Sequence, residues 1–92
     1  MLFKDVVLIS LACKEDKREV YTHYSRCDRL DDFIEALLHL NEEGLVYVSQ
    51  QAWAWGGDSR LLPEDVVMTG VKVTPLGVSK GQRLISMYRK SL

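Results

Sequence analysis

The stretch DRLDDFIEALLHLNEEG, from Asp28 to Gly44, constrains this chain more than any other. Leu30, Phe33, Ile34, Leu37 and Leu40 recur at intervals of three and four, so a helix over these residues has one apolar face. Asp28 stands at the N-cap position, and Asp31, three residues on, makes the start resemble a capping box. Gly44 occupies the place where the residue after a helix turns left-handed. Leu45 behind it is placed to pack on Leu40, as in a Schellman motif. Start, face and stop agree on a helix.

The flanking segments read less sharply. Leu2, Phe3, Val6, Val7, Leu8, Ile9 and Leu11 are too densely apolar for a single face, which fits a largely buried helix or a strand. The run Val6–Cys13 has no small-residue cleavage site, precedes dense charge and is far too short to span a bilayer. It is read as the first core helix of a cytoplasmic protein. In Glu15–Arg26, Val20, Tyr21 and Tyr24, with Cys27 beyond, suit a short helix, while VYTHY also suits a strand. LVYVSQQ and VVMTGVKV (Val66–Val73) read as strands. Thr74 and Pro75 supply an N-cap and a first-turn proline for a last helix, with Leu84, Ile85, Tyr88 and Leu92 on its inner face. Gly77 and Gly81 weaken that helix by about 1 kcal/mol each relative to alanine.

This order, with ALLHLNEEGLVYV followed by VKVTPLGVSKGQRLI, resembles the winged helix-turn-helix superfamily across most of the chain. Leu40, Gly44, Leu45 and Val46 match a helix end common there, and Val73, Thr74, Pro75 and Gly77 match the opening of a final helix. The resemblance implies one α+β domain over residues 1–92. It would have three N-terminal helices, a wing of two to three antiparallel strands and a C-terminal helix. It also implies DNA binding, with Asp28–Glu43 as recognition helix. No glycine marks the turn before Asp28.

Charge bears on that function. The 92 residues carry a net −1, so no global basic field points to nucleic acid. Over residues 28–46 one arginine, Arg29, stands against six acids, Asp28, Asp31, Asp32, Glu35, Glu42 and Glu43, a net of −5. A recognition helix lies between phosphate rows, and each unit repulsion near 4 Å costs about 1 kcal/mol even in water. Insertion of this helix is disfavoured. Contact with duplex DNA is expected instead from Arg26 and Arg29 at the helix start and from Arg60 and Lys72 on the wing. Residues 75–92 hold Lys80, Arg83, Arg89 and Lys90 and no acid, a net of +4. An acidic helix and a basic one on a small domain suit pairing between subunits, so a homodimer or another protein partner is the second expectation.

The segment QQAWAWGGDSRLLPED, Gln50–Asp65, places Trp53 and Trp55 just before Gly56 and Gly57. On an alternating strand Tyr47, Ser49, Gln51, Trp53 and Trp55 share one side. Trp53 and Trp55 are both candidate partner contacts, with Trp53 the one expected to pack inward. Trp55 and Leu61 are the expected contacts for a partner, since tryptophan is enriched at interface hot spots, and Arg83 and Tyr88 join them from the last helix.

Enzymatic signatures fail on chemistry. Gly77-Val78-Ser79-Lys80-Gly81 fits G-x-S-x-G, but no Asp, Glu or His follows Ser79 to act as base and acid. Cys13, His23, Cys27 and His39 lack the paired spacing of a structural zinc site, and the two cysteines read as buried reduced thiols. No cofactor, metal, membrane or small-molecule substrate is implied. Two classes stand: a DNA-binding regulator, and a protein-interaction or dimerisation module on the same scaffold.

Overall fold

The computed structural model describes residues 2–13, 16–56 and 62–90. Its order is α1 (Phe3–Cys13), α2 (Lys17–Arg26), α3 (Leu30–Glu42), β1 (Val46–Val48), β2 (Trp53–Ala54), β3 (Asp65–Val66), β4 (Val71–Val73) and α4 (Pro75–Lys90). This is an α+β arrangement of four helices and two small antiparallel sheets, β1 with β4 and β2 with β3. The segment read as helix or strand before Cys27 is helical, and its cap is Asp16, whose side chain accepts from the Arg18 amide at 2.9 Å.

α3 sits at the centre of the core. Phe33, Ile34, Leu37 and Leu40 are wholly buried, and Val7, Leu8 and Leu11 of α1, Val20 and Tyr24 of α2, and Val46, Val66 and Val71 of the strands close around them. Aromatic rings join the three helices. Phe3 meets Tyr24 edge-on at 5.4 Å, Tyr24 stacks on Phe33 at 5.2 Å, and Tyr21 meets Phe33 edge-on at 6.3 Å. Burial of each such ring removes some 150–250 Å² from water.

Two turns of the same kind frame α3. At its end Gly44 has φ +75°, its amide donates to Asn41 at 3.1 Å, and the Leu45 amide reaches back to Leu40 at 3.0 Å. That is the Schellman pattern expected there. At the end of α2 the pattern repeats: the Asp28 amide donates to Ser25 at 3.3 Å, the Arg29 amide to Tyr24 at 2.9 Å, and Asp28 has φ +58°. Asp28 is therefore not the N-cap of α3. That place falls to Arg29, which makes no side-chain cap bond. The left-handed position usually given to glycine is filled by aspartate, whose short polar side chain tolerates it better than most.

The two long strands of the sequence reading are each interrupted. Single 3₁₀ turns at Gln50–Ala52 and Met68–Gly70 stand opposite one another and split the ribbon into β1/β4 and β2/β3. The amide of Ser49 still donates to Gly70 at 3.0 Å and that of Val67 to Ala52 at 2.8 Å, so the two halves remain connected. Because the turn resets the alternation, Tyr47 and Trp53 do not share a side. Tyr47 points outward beside Lys72, while Trp53 lies half-buried against the core opposite Val66.

α4 packs chiefly on α1 and is pinned to the end of α3 by the two matched motifs. Thr74 Oγ1 accepts from the Gly77 amide at 3.0 Å and lies 2.7 Å from the Gly44 carbonyl, to which it donates. The Thr74 amide donates to the Leu45 carbonyl at 3.1 Å. A Cβ on Gly77 would stand 1.9 Å from that same Leu45 oxygen, so only glycine lets the helix approach. Gly77 thus stabilises the packing although it weakens the helix. Tyr88, expected on the inner face, is 56% exposed because α4 carries it beyond the residues that would cover it. Leu92 lies outside the described residues.

Candidate nucleic-acid interface

The cations of α2 and of the ribbon form one surface. Arg18, Thr22 and Arg26 follow at intervals of four residues, so they lie one above another on the exposed side of α2. Two adjoining grooves run along this surface and share Asp16 and Arg18. One lies between the start of α2 and the ribbon and is lined by Lys17, Thr69, Val71 and Lys72. The other follows α2 past Glu19 and His23 to Arg26. Lys17 Nζ donates to the Val71 carbonyl, which ties the start of α2 to β4. An ammonium has three protons, so this bond leaves two for an anion. Four cations, Lys17, Arg18, Arg26 and Lys72, thus face two acids, and Asp16 spends its carboxylate on the helix cap.

A second tie holds ribbon and α2 in register. Tyr21 Oη donates to Asp65 Oδ1 at 2.6 Å. This hydrogen bond, with partial burial and the negative charge of Asp65, pushes the Tyr21 hydroxyl up to about 12. The phenol therefore stays a donor at physiological pH.

The acids of α3 and its C-terminal turn do not line this surface. Asp31, Asp32, Glu35, Glu42 and Glu43 are all exposed, and no charged side chain is buried among the described residues. Some carry partners: Lys4 Nζ meets Glu43 at 2.6 Å, Arg29 meets Asp32 at 3.3 Å, and His39 lies 3.7 Å from Glu35. The contact with Lys4 holds the Glu43 carboxyl below the usual range, with the charge of Lys80 adding to it, and raises the Lys4 ammonium.

The expected DNA contacts are divided by this geometry. Arg26 and Lys72 lie on the α2–ribbon surface. Arg29 does not join them: it lies over the Phe3 ring at 4.3 Å and bonds Asp32, in the groove between α1 and α3. Arg60 and Leu61 lie outside the described residues. Lys17 and Arg18 were not singled out from the sequence. Their signal was the Asp16 cap, which starts α2 with both cations in its first turn beside the ribbon. Of the expected protein contacts, Trp55 is 59% exposed and Arg83 and Tyr88 are exposed on α4, whereas Trp53 packs on the core.

Both cysteines, expected inside, are exposed. Cys13 ends α1 on the side away from Val7, Leu8 and Leu11, and Cys27 caps α2 beyond its buried Tyr24. Among the described residues no three His, Cys, Asp or Glu side chains converge on a metal position, and no helix is long and apolar enough to cross a membrane. No protein-family model, curated protein or solved structure matches the chain at a significant level.

Proposed function

We propose that this chain is a non-enzymatic winged-helix domain that binds duplex DNA through α2 and the ribbon, with its acidic α3 held away from the bases. The element order and the ribbon after α3 support the fold reading. The cation stripe Lys72–Lys17–Arg18–Arg26 carries the functional one. α2 is about 15 Å long at 1.5 Å per residue, enough to reach across a major groove of about 12 Å between its phosphate rows. The contact is to phosphates. Binding is therefore weak in sequence preference, steep in salt, and in the nonspecific range of about 10⁻⁴ to 10⁻⁶ M.

Four neutralised phosphates give a log–log salt slope of about −3.6, so affinity should fall roughly 150-fold between 50 and 200 mM salt. Fluorescence anisotropy of a labelled random-sequence duplex reads this directly. Arg18→Glu and Lys72→Glu should each flatten the slope by about one. No binding at 50 mM salt, or a slope indifferent to both changes, rejects the reading. A second reading, a protein-interaction module, is favoured by Trp55, whose ring stands mostly in solvent next to the ribbon. It predicts that Trp55→Ala abolishes capture of a protein partner while duplex affinity is unchanged.

A further inference from the structure

The outward sides of α3 and α4 carry stripes of the same spacing and opposite charge. On α3, Asp31, Glu35, Leu38 and Glu42 are separated by four, three and four residues. The three carboxylates are exposed and Leu38 is half-buried between them. On α4, Leu76, Lys80, Arg83 and Met87 repeat the same intervals. Leu76 and Met87 are 60% and 59% exposed, Arg83 is exposed and Lys80 is half-buried. Intervals of four, three and four keep side chains on one nearly straight line along a helix, the geometry by which paired helices meet.

The charges are only partly used within the molecule. Among the described residues Asp31, Glu42 and Arg83 have no ion-pair partner, and Glu35 has only His39 at 3.7 Å. Lys80 lends its charge to Glu43 from a distance. Within one copy α4 lies chiefly on α1, and Leu76, Arg83 and Met87 of its stripe stay exposed.

We propose that the α4 stripe docks on the α3 stripe of a second copy of this chain, with the reciprocal contact completing a two-fold dimer. Run antiparallel, the pairing sets Arg83 against Glu35 and Lys80 across Leu38 within reach of Glu42, while Leu76 and Met87 lie over the side-chain stems of Glu42 and Asp31. Two-fold symmetry uses each stripe once per copy and closes the assembly, which prevents open-ended chains. Each contact is about 17 Å long and about 10 Å wide, so the pair buries on the order of 700 Å². That falls below the roughly 1,200 Å² of tight interfaces, and it places the dimer in the micromolar range with strong salt dependence. The dimer shares no residue with the α2–ribbon stripe, so either proposal can fail alone.

A charge swap tests it, read by sedimentation equilibrium without DNA at 5–200 µM protein. The unmodified chain should dimerise in 50 mM salt, with Kd rising at least tenfold in 500 mM. Lys80→Glu/Arg83→Glu should be monomeric, as should Glu35→Lys/Glu42→Lys, while an equimolar mixture of the two should dimerise again. Circular dichroism checks that each variant folds. If one does not, Lys80→Gln/Arg83→Gln replaces it, with an expected tenfold rise in Kd. A monomer at 200 µM in 50 mM salt, association unmoved by these changes, or a mixture that stays monomeric would overturn the proposal.

Discussion

Gly77→Ala tests how the last helix is attached. A carbon does not approach a carbonyl oxygen closer than about 3.0 Å, and the added Cβ would stand 1.9 Å from the Leu45 oxygen, so the contact must open by about 1.1 Å. The methyl would also lie 2.9 Å from Val73 Cγ1 and 2.8 Å from the Leu45 carbonyl carbon, so sliding sideways brings no relief. That carbonyl is held by the Thr74 amide at 3.1 Å, and it lies 3.0 Å from Thr74 Oγ1, whose single proton it shares with the Gly44 carbonyl. Opening the contact stretches both bonds, each contributing about 1 kcal/mol. Overpacking adds about 1–3 kcal/mol, and the better helix propensity of alanine returns at most about 1 kcal/mol. The net loss is about 2–4 kcal/mol, a large part of the roughly 5–14 kcal/mol available to a chain of this size. Urea unfolding should show a lower midpoint with unchanged slope, and thermal unfolding a fall of about 10 °C or more. Gly81→Ala is the control. Its Cβ would meet only the Ala12 methyl, at 3.2 Å, and should change stability by less than 1 kcal/mol. A Gly77→Ala protein within 0.5 kcal/mol of the parent refutes the close approach of α4 to Leu45.

Three further outcomes follow from the same geometry. Asp28→Gly should raise stability by about 0.5–1 kcal/mol, because the φ of +58° is free to glycine and strained for aspartate; urea midpoints read the gain, and a loss contradicts the shared turn pattern. Gly44→Ala should lose about 1 kcal/mol from its φ of +75° alone, since nothing lies within 4 Å of the added methyl, and thermal unfolding measures it. The Tyr21 hydroxyl is raised in the folded state, so its contribution is fully present below pH 10 and is lost as pH rises from 10 towards 12. After solvent screening this amounts to about 1 kcal/mol, and Tyr21→Phe should remove that part of the alkaline loss in stability–pH profiles.

The parts of the fold legible in the sequence are those where local pattern and tertiary packing demand the same thing. Phe33, Ile34, Leu37 and Leu40 are buried because their spacing makes one continuous apolar face, and Gly44 turns left-handed because Leu45 must fold back on Leu40. Thr74 and Gly77 were readable as cap and breaker, but their joint purpose, seating α4 on the Leu45 carbonyl, exists only in three dimensions. The ribbon misled because LVYVSQQ and VVMTGVKV have the composition of strands throughout. The opposed turns at Gln50–Ala52 and Met68–Gly70 are set by the close approach of Gly70 to Ala52, whose methyl would lie 2.7 Å from an added Cβ. Asp28 misled for a related reason: aspartate favours both N-caps and left-handed turns, and the sequence does not say which helix end claims it. Of the candidate site, Arg26 and Lys72 were legible as single cations, and the acidity of the long helix as segment charge. The assignment of the site to α2 was not, because Lys17 and Arg18 acquire neighbours only when the Lys17–Val71 contact brings β4 to them.

The most direct measurement is a map of amide chemical-shift changes as duplex DNA is added to labelled protein in low salt. The account predicts changes concentrated at residues 16–26 and 69–73, with Asp31, Glu35 and Glu42 still. Changes centred on the outward arc of α3 would contradict it, as would a spectrum that does not move.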